Sequence, residues 1–308
     1  MSFDPIVSGS LSFLVVLILM ALNVPIGISM LVVGFTGFAL ITGFEQALFV
    51  LGTAPFEAVS KYTLSVLPLF VLMGNLANRA NLSRNLYDAA YAVVGHYKGG
   101  LAMSTVGACA GFGMICGSSI ATAATMSQMA GPEMKRHGYS DALISGSVAS
   151  GGTLGIIIPP SVILIIYAYL TEQSIQQLFF AALIPGLIAV VLYMIAIRVY
   201  LVIYPDQGGH GEKMTARDRM SALTKVFPIF LIFAIIMGGL YLGFFTATES
   251  AAIGVILVII FIFFRGELTI ELLRNSIWDT VKTVGALYLI VIGASVFNFL
   301  ITVTQLPF

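Results

Sequence analysis

Two short stretches of this sequence gather oxygen-bearing and helix-breaking residues inside an otherwise apolar chain. Residues 116–125 are rich in glycine, serine and threonine, and residues 150–161 contain three glycines followed by the pair Pro159 and Pro160. Glycine and proline interrupt helices and so free backbone carbonyls. Unwound carbonyls and hydroxyl oxygens suit a cation such as Na⁺. Cation binding is therefore the chemistry that these two stretches favour.

We predict that both stretches contribute to one cation site with an adjoining substrate surface. The predicted cation-binding residues are Gly117, Ser118, Ser119, Thr122, Gly152, Thr153 and Gly155. The predicted substrate-binding residues are Ser119, Thr122, Thr125, Pro159, Pro160 and Ser161, of which the two prolines would hold the second break open. The alternative is that glycine, serine and threonine only allow helices to approach closely.

Glu249 is an acidic residue that lies between two apolar spans of the sequence. It is a candidate coupling carboxylate, although a residue so placed more often caps the next helix, which is the reading we favour. No Walker-type glycine-rich loop occurs in the sequence. No nucleophile, base and orienting group are predicted to converge, so we expect no enzyme and no ATP-driven chemistry.

The composition indicates the environment in which these residues must act. Apolar residues make up 59% of the chain and charged residues 9%, and the mean hydropathy is +1.03. Soluble domains carry about a quarter charged residues. The apolar runs are too long for barrel strands, so helices must satisfy the backbone in lipid. We therefore predict an all-α polytopic membrane protein, and the balanced charge gives no reason to expect nucleic acid.

A span of about 20 apolar residues divides the chain into the elements that position the site. We predict scaffold helices over 1–98, with a break near 23–25, an amphipathic stretch at 45–61 and a charged surface helix at 79–98. The first twelve residues lack the features of a signal peptide, so the first apolar stretch should remain as a helix. The predicted elements that follow are a hairpin at 100–133, a broken helix at 139–170 unwound over 150–161, a helix at 175–204 and a loop at 205–225.

Basic residues predict the orientation, because lysine and arginine concentrate in cytoplasmic loops. The loop at 205–225 carries Lys213, Arg217, Arg219 and Lys225, so we place it in the cytoplasm. Counting spans backwards puts both ends of the hairpin on that same side. The hairpin is therefore predicted to be re-entrant, with its small residues at the tip.

A weak internal similarity indicates a duplication. Residues 43–74 align with 266–293 at a slowly changing offset, and the basic residues place the two copies in opposite orientations, as in many secondary transporters. We predict a first repeat at 1–222 and the start of a second, inverted repeat at 226–308. Chance alignment of two apolar helices is the alternative. Because the second copy would be incomplete at Phe308, we expect a truncated or fragmentary sequence.

Four runs, at 117–124, 132–139, 151–161 and 246–255, together resemble the large membrane subunit of the tripartite ATP-independent periplasmic (TRAP) transporters. The resemblance implies Na⁺-driven import of an organic acid, such as a dicarboxylate or a sialic-acid-like compound. It also implies a periplasmic binding protein that delivers the substrate, a small membrane subunit alongside, a multi-pass location in the bacterial inner membrane, and no cofactor beyond the coupling ion. An elevator motion of the hairpins and broken helices is implied as well.

Motif matching assigns the family's cation and substrate roles to Ser118, Ser119, Thr122, Gly152, Thr153 and Gly155. The family's second hairpin and second broken helix have no counterpart in these residues. Two alternatives stay open: an ion-coupled elevator carrier that works without a binding protein, and a membrane assembly subunit that transports nothing.

Overall fold

The computed structural model of the protein describes residues 5–80 and 82–306, so the predicted end at Phe308 and the first four residues lie outside the described part. Within these ranges the fold is helical, as predicted. Two 3₁₀-helices, Tyr62–Ser65 and Pro205–Gln207, accompany α-helices with the following bounds: α1 Pro5–Ala21, α2 Ile26–Thr42, α3 Phe44–Ser60, α4 Val66–Arg79, α5 Leu82–Val94, α6 Gly100–Cys116, α7 Ser119–Arg136, α8 Asp141–Ile157, α9 Val162–Leu170, α10 Ile175–Ile203, α11 Ala216–Tyr241, α12 Ala247–Phe264 and α13 Ile270–Val303.

Several of these helices are suited to lipid. Among the described residues, α10, α11, α12 and α13 are long and apolar enough to cross a membrane, and the count rises to six if each of two interrupted helix pairs forms one span. Large apolar side chains such as Leu40 (88% exposed) and Phe264 (82%) face outwards. Water would disfavour such surfaces and hydrocarbon would not. The chain is a polytopic membrane protein.

The predicted break near 23–25 separates α1 from α2. Asn23 takes a left-handed conformation with φ of 65°, and Pro25 stands as the N-cap of α2. Proline has no amide hydrogen to donate, so it suits the start of a helix and not its interior.

The chain forms two compact units. One contains Met1–Leu64 and Val281–Phe308, and the other contains Ser65–Thr280. In the first unit α2 lies against the later part of α13, where a Cβ atom built on Gly34 would lie 2.7 Å from the Cα atom of Phe297. Small residues permit this close approach, and Val33, Phe38 and Leu300 form part of the buried core beside it.

The second unit is built around α6, α7 and α8. Helix α6 runs parallel to α8, since Cβ atoms built on Gly151 and Gly113 would meet Cys109 and Gly155 respectively. Helix α7 returns antiparallel to α6, and the hydroxyl of Thr105 near the start of α6 lies 3.6 Å from the sulfur of Met134 near the end of α7. Helices α6 and α7 therefore form a helical hairpin with both outer ends on one side of the unit, and its re-entrant course in the membrane stays a prediction.

The prediction of a charged surface helix over 79–98 is wrong in its burial. Helix α5 buries one face, and within it only Arg84 and Val93 are exposed. Leu82, Leu86 and Ala89 recur at helical spacing and form an apolar stripe that packs inwards. Charged residues lie between these apolar positions, so the charge of the stretch alone does not reveal the apolar stripe.

The predicted cytoplasmic loop at 205–225 is shorter than expected. Helix α11 begins at Ala216, with the hydroxyl of Thr215 accepting a hydrogen bond from the amide of Asp218 at 3.2 Å. Threonine followed by an acidic residue in the first turn is a strong helix start. The first turns of α11 therefore contain three of the basic residues predicted to lie in the loop, namely Arg217, Arg219 and Lys225.

The duplication stays a prediction. Helix α13 is continuous over Ile270–Val303, whereas the proposed counterpart is interrupted between α3 and α4. The two compact units are defined by which residues contact each other. They do not test the sequence duplication or its predicted boundary at 222–226.

Candidate ion and substrate site

The tip of the hairpin is a two-residue turn. Gly117 follows α6 in the left-handed conformation (φ 61°), and its amide donates to the carbonyl of Gly113 at 2.9 Å. Ser118 is extended and caps α7, its hydroxyl accepting from the amide of Ala121 at 3.4 Å. Glycine fits the left-handed position because it has no Cβ atom, and serine is a preferred N-cap.

The second break lies between α8 and α9, which meet with a bend of 45°. Ile158 is extended, and Pro159 and Pro160 follow it. Ser161 caps α9 by accepting from the amide of Leu164 at 3.4 Å, and its hydroxyl donates to the carbonyl of Ile156 at 2.7 Å. The serine therefore joins the two ends of the broken helix.

The break between α8 and α9 is narrower than the predicted unwinding over 150–161. Gly151, Gly152 and Gly155 all lie inside α8, so they do not free backbone carbonyls by unwinding. Their physical role is close approach: a Cβ atom built on Gly152 would lie 2.8 Å from the Cβ atom of Ala123, and one on Gly155 would lie 2.9 Å from Thr122 Oγ1.

The two breaks touch each other. A Cβ atom built on Gly117 would lie 2.9 Å from the carbonyl oxygen of Pro160, and the amide of Val162 donates to the carbonyl of Gly117 at 3.4 Å. Gly113 and Gly155 bring the ends of α6 and α8 together in the same place. The carbonyl ends of α6 and α8 therefore adjoin the amide ends of α7 and α9.

This arrangement supplies two kinds of partial charge. The last carbonyls of a helix lack partners within it and carry partial negative charge, whereas the first amides carry partial positive charge. The hydroxyl oxygen of Thr122 is fully buried beside them and donates to the carbonyl of Ser118 at 2.7 Å. Within the described residues no three His, Cys, Asp or Glu side chains form a metal cluster. The atoms that could coordinate a cation at this place are therefore carbonyl and hydroxyl oxygens.

Most of the predicted site residues come together here. Gly117, Ser118, Thr122, Gly155, Pro160 and Ser161 lie around the touching breaks, and the carbonyl of Ser119 lies 3.2 Å from a Cβ atom built on Gly152. Pro159 is buried within the second break. Backbone and hydroxyl oxygens of both stretches therefore share one place in the fold.

Thr153 lies elsewhere. It is exposed on α8, where its hydroxyl donates to the carbonyl of Ser150 and lies 3.1 Å from the hydroxyl of Tyr193 on α10. A helix turns about 100° per residue, so Thr153 points away from the hairpin that its neighbour Gly152 contacts.

Thr125 leads to a residue that the sequence reading missed. Its hydroxyl lies 3.3 Å from the side-chain oxygen of Asn78 on α4. Helix α4 is apolar except for Asn75, Asn78 and Arg79 near its end, and the two asparagines, spaced by three residues, could have been singled out for that reason. Asn78 extends the polar surface of the hairpin onto α4, whereas Asn75 donates to the hydroxyl of Thr280 at 3.0 Å.

Glu249 caps α12, which agrees with the favoured interpretation. Its carboxylate accepts hydrogen bonds from the amide and the hydroxyl of Thr246 at 2.8 and 2.9 Å. The hydroxyl of Thr246 in turn accepts from the amide of Glu249, which completes a capping box. This side chain is exposed, and one of its two carboxylate oxygens makes both hydrogen bonds to Thr246.

Helices broken at adjoining points inside a polytopic membrane protein are the architecture in which many secondary transporters bind ions and substrates. Residues 13–308 match the family described as the DctM component of the tripartite ATP-independent periplasmic transporters. The chain belongs to this family, which confirms the resemblance found in its motifs.

Similar proteins support the same family assignment. The large permease protein of the C4-dicarboxylate TRAP transporter from Pseudomonas aeruginosa is 34% identical over 253 residues, which cover 82% of this chain and 59% of the relative. The ectoine/5-hydroxyectoine permease protein of Ruegeria pomeroyi is 30% identical, with coverage of 96% and 69%. The sialic acid permease protein of Vibrio cholerae is 31% identical, with coverage of 81% and 58%.

These relatives are permease subunits and not enzymes, as predicted for this chain. Together with the apolar helices, the family places the protein in the bacterial inner membrane. The chain spans 59% of the length of the Pseudomonas permease protein.

Proposed function

We propose that this chain acts in the large permease subunit of a Na⁺-coupled secondary transporter that imports an organic acid. The observation that carries the proposal is the direct contact between the hairpin tip and the broken helix. Gly117 touches Pro160 there, and the ends of four helices adjoin. Breaking two helices at one buried place is costly unless the freed groups bind something.

The ends of α6 and α8 would bind the cation. Their last carbonyls need partners, and Thr122 adds a buried hydroxyl oxygen. Na⁺ accepts such neutral oxygen ligands without a carboxylate, which fits the donor set. Gly117, Ser118, Ser119, Gly152 and Gly155 would shape this site, and Thr153 would contribute only through its place on α8.

The start of α7 offers a surface for a carboxylate. Helix N-termini favour anions, and Ser119, Thr122 and Thr125 line the first turns of α7, with Asn78 beside Thr125. Pro159, Pro160 and Ser161 bound this surface at the start of α9. The relatives are named for C4-dicarboxylate, ectoine and sialic acid, each of which carries a carboxylate.

The proposed partners follow from the three-part transporter for which the family is named. A periplasmic binding protein would deliver the organic acid, and a small membrane subunit would lie beside the large one in the lipid. An elevator motion of the hairpin with the broken helix would carry the substrate across the membrane.

Reconstituted transport tests this proposal. The full-length protein is placed in proteoliposomes with its small membrane subunit and its binding protein, and uptake of a labelled C4-dicarboxylate, sialic acid or ectoine is measured under a Na⁺ gradient. We expect uptake of one of these acids that stops when K⁺ or choline replaces Na⁺. Uptake that is independent of Na⁺ would contradict the coupling, and no uptake of any acid would support an assembly role.

Thr122→Val tests the cation site with little change in shape. Losing an oxygen ligand in a buried site costs about 1–3 kcal/mol, so the Na⁺ concentration for half-maximal uptake should rise about tenfold or more. The control is Thr36→Val, because that hydroxyl also donates to a carbonyl four residues earlier, at 2.7 Å, but lies in α2. Equal Na⁺ dependence in both variants would remove Thr122 from the site.

A further inference from the structure

A backbone segment crosses the open end of the hairpin. This segment, residues 207–212, belongs to the connection between α10 and α11 and is called the strap below. It runs between the turn at 95–99, which leads into α6, and the turn at 137–140, which leaves α7. The strap therefore contacts both outer ends of the hairpin, on the opposite side from the tip.

Backbone hydrogen bonds fasten the strap to the first turn. The amide of Gly99 donates to the carbonyl of Gly209 at 3.2 Å, and the amide of Gly211 donates to the carbonyl of Gly95 at 3.0 Å. Lys98 and His210 form an isolated antiparallel β-bridge between these bonds. The amide of Glu212 also donates to the hydroxyl of Tyr91 at 2.8 Å.

Tyr139 fastens the strap to the second turn. Its hydroxyl donates to the carbonyl of Gly209 at 3.0 Å and accepts from the amide of Leu101 at 3.2 Å. The amide of Ser140 donates to the carbonyl of Gln207 at 3.0 Å. One tyrosine hydroxyl therefore joins the strap, the start of α6 and the end of the α7 turn.

The side chain of Tyr139 is buried at this contact. The residue is only 4% exposed, and burial raises the pKa of its hydroxyl to about 12. A tyrosine hydroxyl is protonated at neutral pH even at its ordinary pKa of about 10, so the higher pKa only widens the pH range over which it donates to Gly209.

The glycines of the strap are required by the closeness of the neighbouring backbone. A Cβ atom built on Gly209 would collide with the carbonyl oxygen of His137, and one on Gly211 would lie 2.5 Å from the carbonyl oxygen of Gly95. Any side chain at either position would push the strap off the hairpin. A loop that only connected α10 to α11 would have no such requirement.

The two ends of the hairpin are held with unequal strength. At the tip, the amide of Val162 makes one long bond of 3.4 Å to Gly117. At the open end, several shorter bonds and a buried tyrosine would have to break together. Separating α9 from the hairpin tip therefore breaks fewer hydrogen bonds than separating the strap from the open end, while α8 stays packed against the hairpin through Gly113 and Gly155.

We propose that the strap stays fastened throughout the transport cycle and closes the open end of the hairpin, so that α6, α7 and the α10–α11 connection move as one body, with Tyr139 as the positioning residue. The proposal rests on the proposed transport function. It assigns the opening of the site to the hairpin tip.

A disulfide across the strap tests whether it must open. Opposed residues in an antiparallel pair of this kind have Cα atoms about 4.5 Å apart, within the range of about 4.4–6.8 Å that a disulfide needs. The double variant Lys98→Cys/His210→Cys is reconstituted with its partners and oxidised, and each single variant serves as control. Cys109 and Cys116 are buried and are kept.

We expect the disulfide to form and uptake to stay within twofold of the reduced protein. Loss of uptake on oxidation, restored by a reductant, would overturn the proposal because the strap would then have to leave the hairpin. Failure of the two cysteines to join would overturn it as well, since the bridge would not exist in the working protein.

Tyr139→Phe tests the positioning role, with Tyr97→Phe as the control because Tyr97 lies on the other turn that the strap contacts but is half exposed. We expect amide exchange at Leu101 and tryptic cleavage after Lys213 to quicken at least tenfold, and maximal uptake to fall at least fivefold at an unchanged KM. Unchanged exchange and uptake would overturn the role of Tyr139. If the wild-type protein transports none of the acids, the proposed function fails, whereas exchange and cleavage still report on the strap.

Discussion

The glycines near the two breaks and the threonine Thr122 have different physical roles. Gly117 adopts a backbone conformation that other residues avoid, and Gly155 allows α8 to approach the hairpin. Thr122 contributes a buried oxygen and ties itself to Ser118. Only the threonine offers a ligand through its side chain, so substitutions at the glycines should act through geometry.

Gly155→Ala should damage the protein, because the new methyl group would lie 3.0 Å from the backbone oxygen of Ser118 and 2.9 Å from Thr122 Oγ1. Overpacking of this kind costs about 1–3 kcal/mol, and we expect lower thermal stability together with weaker Na⁺-dependent uptake. Gly146→Ala is the matched control on the same helix, with open space around it. It should be neutral or gain up to about 1 kcal/mol from helix propensity. Equal behaviour of the two variants would contradict the close contact.

Gly117→Ala separates backbone strain from the contact between the breaks. Gly117 and Gly138 both have positive φ, at 61° and 76°, so alanine costs each about 1–2 kcal/mol of left-handed strain. Only at Gly117 would the methyl group meet another backbone, that of Pro160. Uptake should therefore fall much further for Gly117→Ala than for Gly138→Ala. A similar loss in both would show that strain alone matters there.

At the scale of the helix, the start of α12 has its own local explanation. The capping box between Thr246 and Glu249 satisfies the first amides of α12. The helix end therefore accounts for this carboxylate, and we expect it to play no part in coupling an ion.

Glu249→Gln should leave Na⁺-dependent uptake intact, because glutamine can replace glutamate in a capping box. Thr246→Ala, which removes the N-cap hydroxyl, should lower the melting temperature by a few degrees without changing the Na⁺ dependence. Both are measured by thermal unfolding and by uptake. Loss of Na⁺ coupling in Glu249→Gln would make Glu249 the coupling carboxylate after all.

The sequence predicts where helices break better than it predicts how far they unwind. Pro159 and Pro160 lack amide hydrogens and Gly117 favours a turn, so the two breaks follow from residue type. The glycines of α8 do not predict a break in this way, because a glycine inside a helix can mark either unwinding or a close approach of another element. These glycines are Gly151, Gly152 and Gly155. Only the position of the hairpin, a long-range contact, decides between them.

The same limit applies to Thr153 and Asn78. The rotation of α8 turns Thr153 towards Tyr193, and the packing of α4 brings Asn78 to Thr125. Neither partner is near in sequence, so neither contact is available to a reading of local pattern. The buried face of α5 was available, because its apolar spacing was present beneath the charges.

For the whole molecule, family membership and fold agree on a multi-pass protein of the bacterial inner membrane. The proposed transport function depends on one site: we propose that the touching breaks of the hairpin and of the broken helix bind Na⁺. A ligand that binds only the folded state stabilises it by an amount that grows with the logarithm of the ligand concentration above its Kd, about 2.7 kcal/mol at a hundred times Kd.

Thermal unfolding of the purified full-length protein tests this claim most directly. The melting temperature is measured as NaCl rises at constant ionic strength, with KCl or choline chloride as the replacement, for the wild-type protein, Thr122→Val and Thr36→Val. We expect Na⁺ to raise the melting temperature of the wild-type protein and of Thr36→Val, and to have a much smaller effect on Thr122→Val. Equal melting temperatures in Na⁺, K⁺ and choline would contradict a Na⁺ site at the touching breaks.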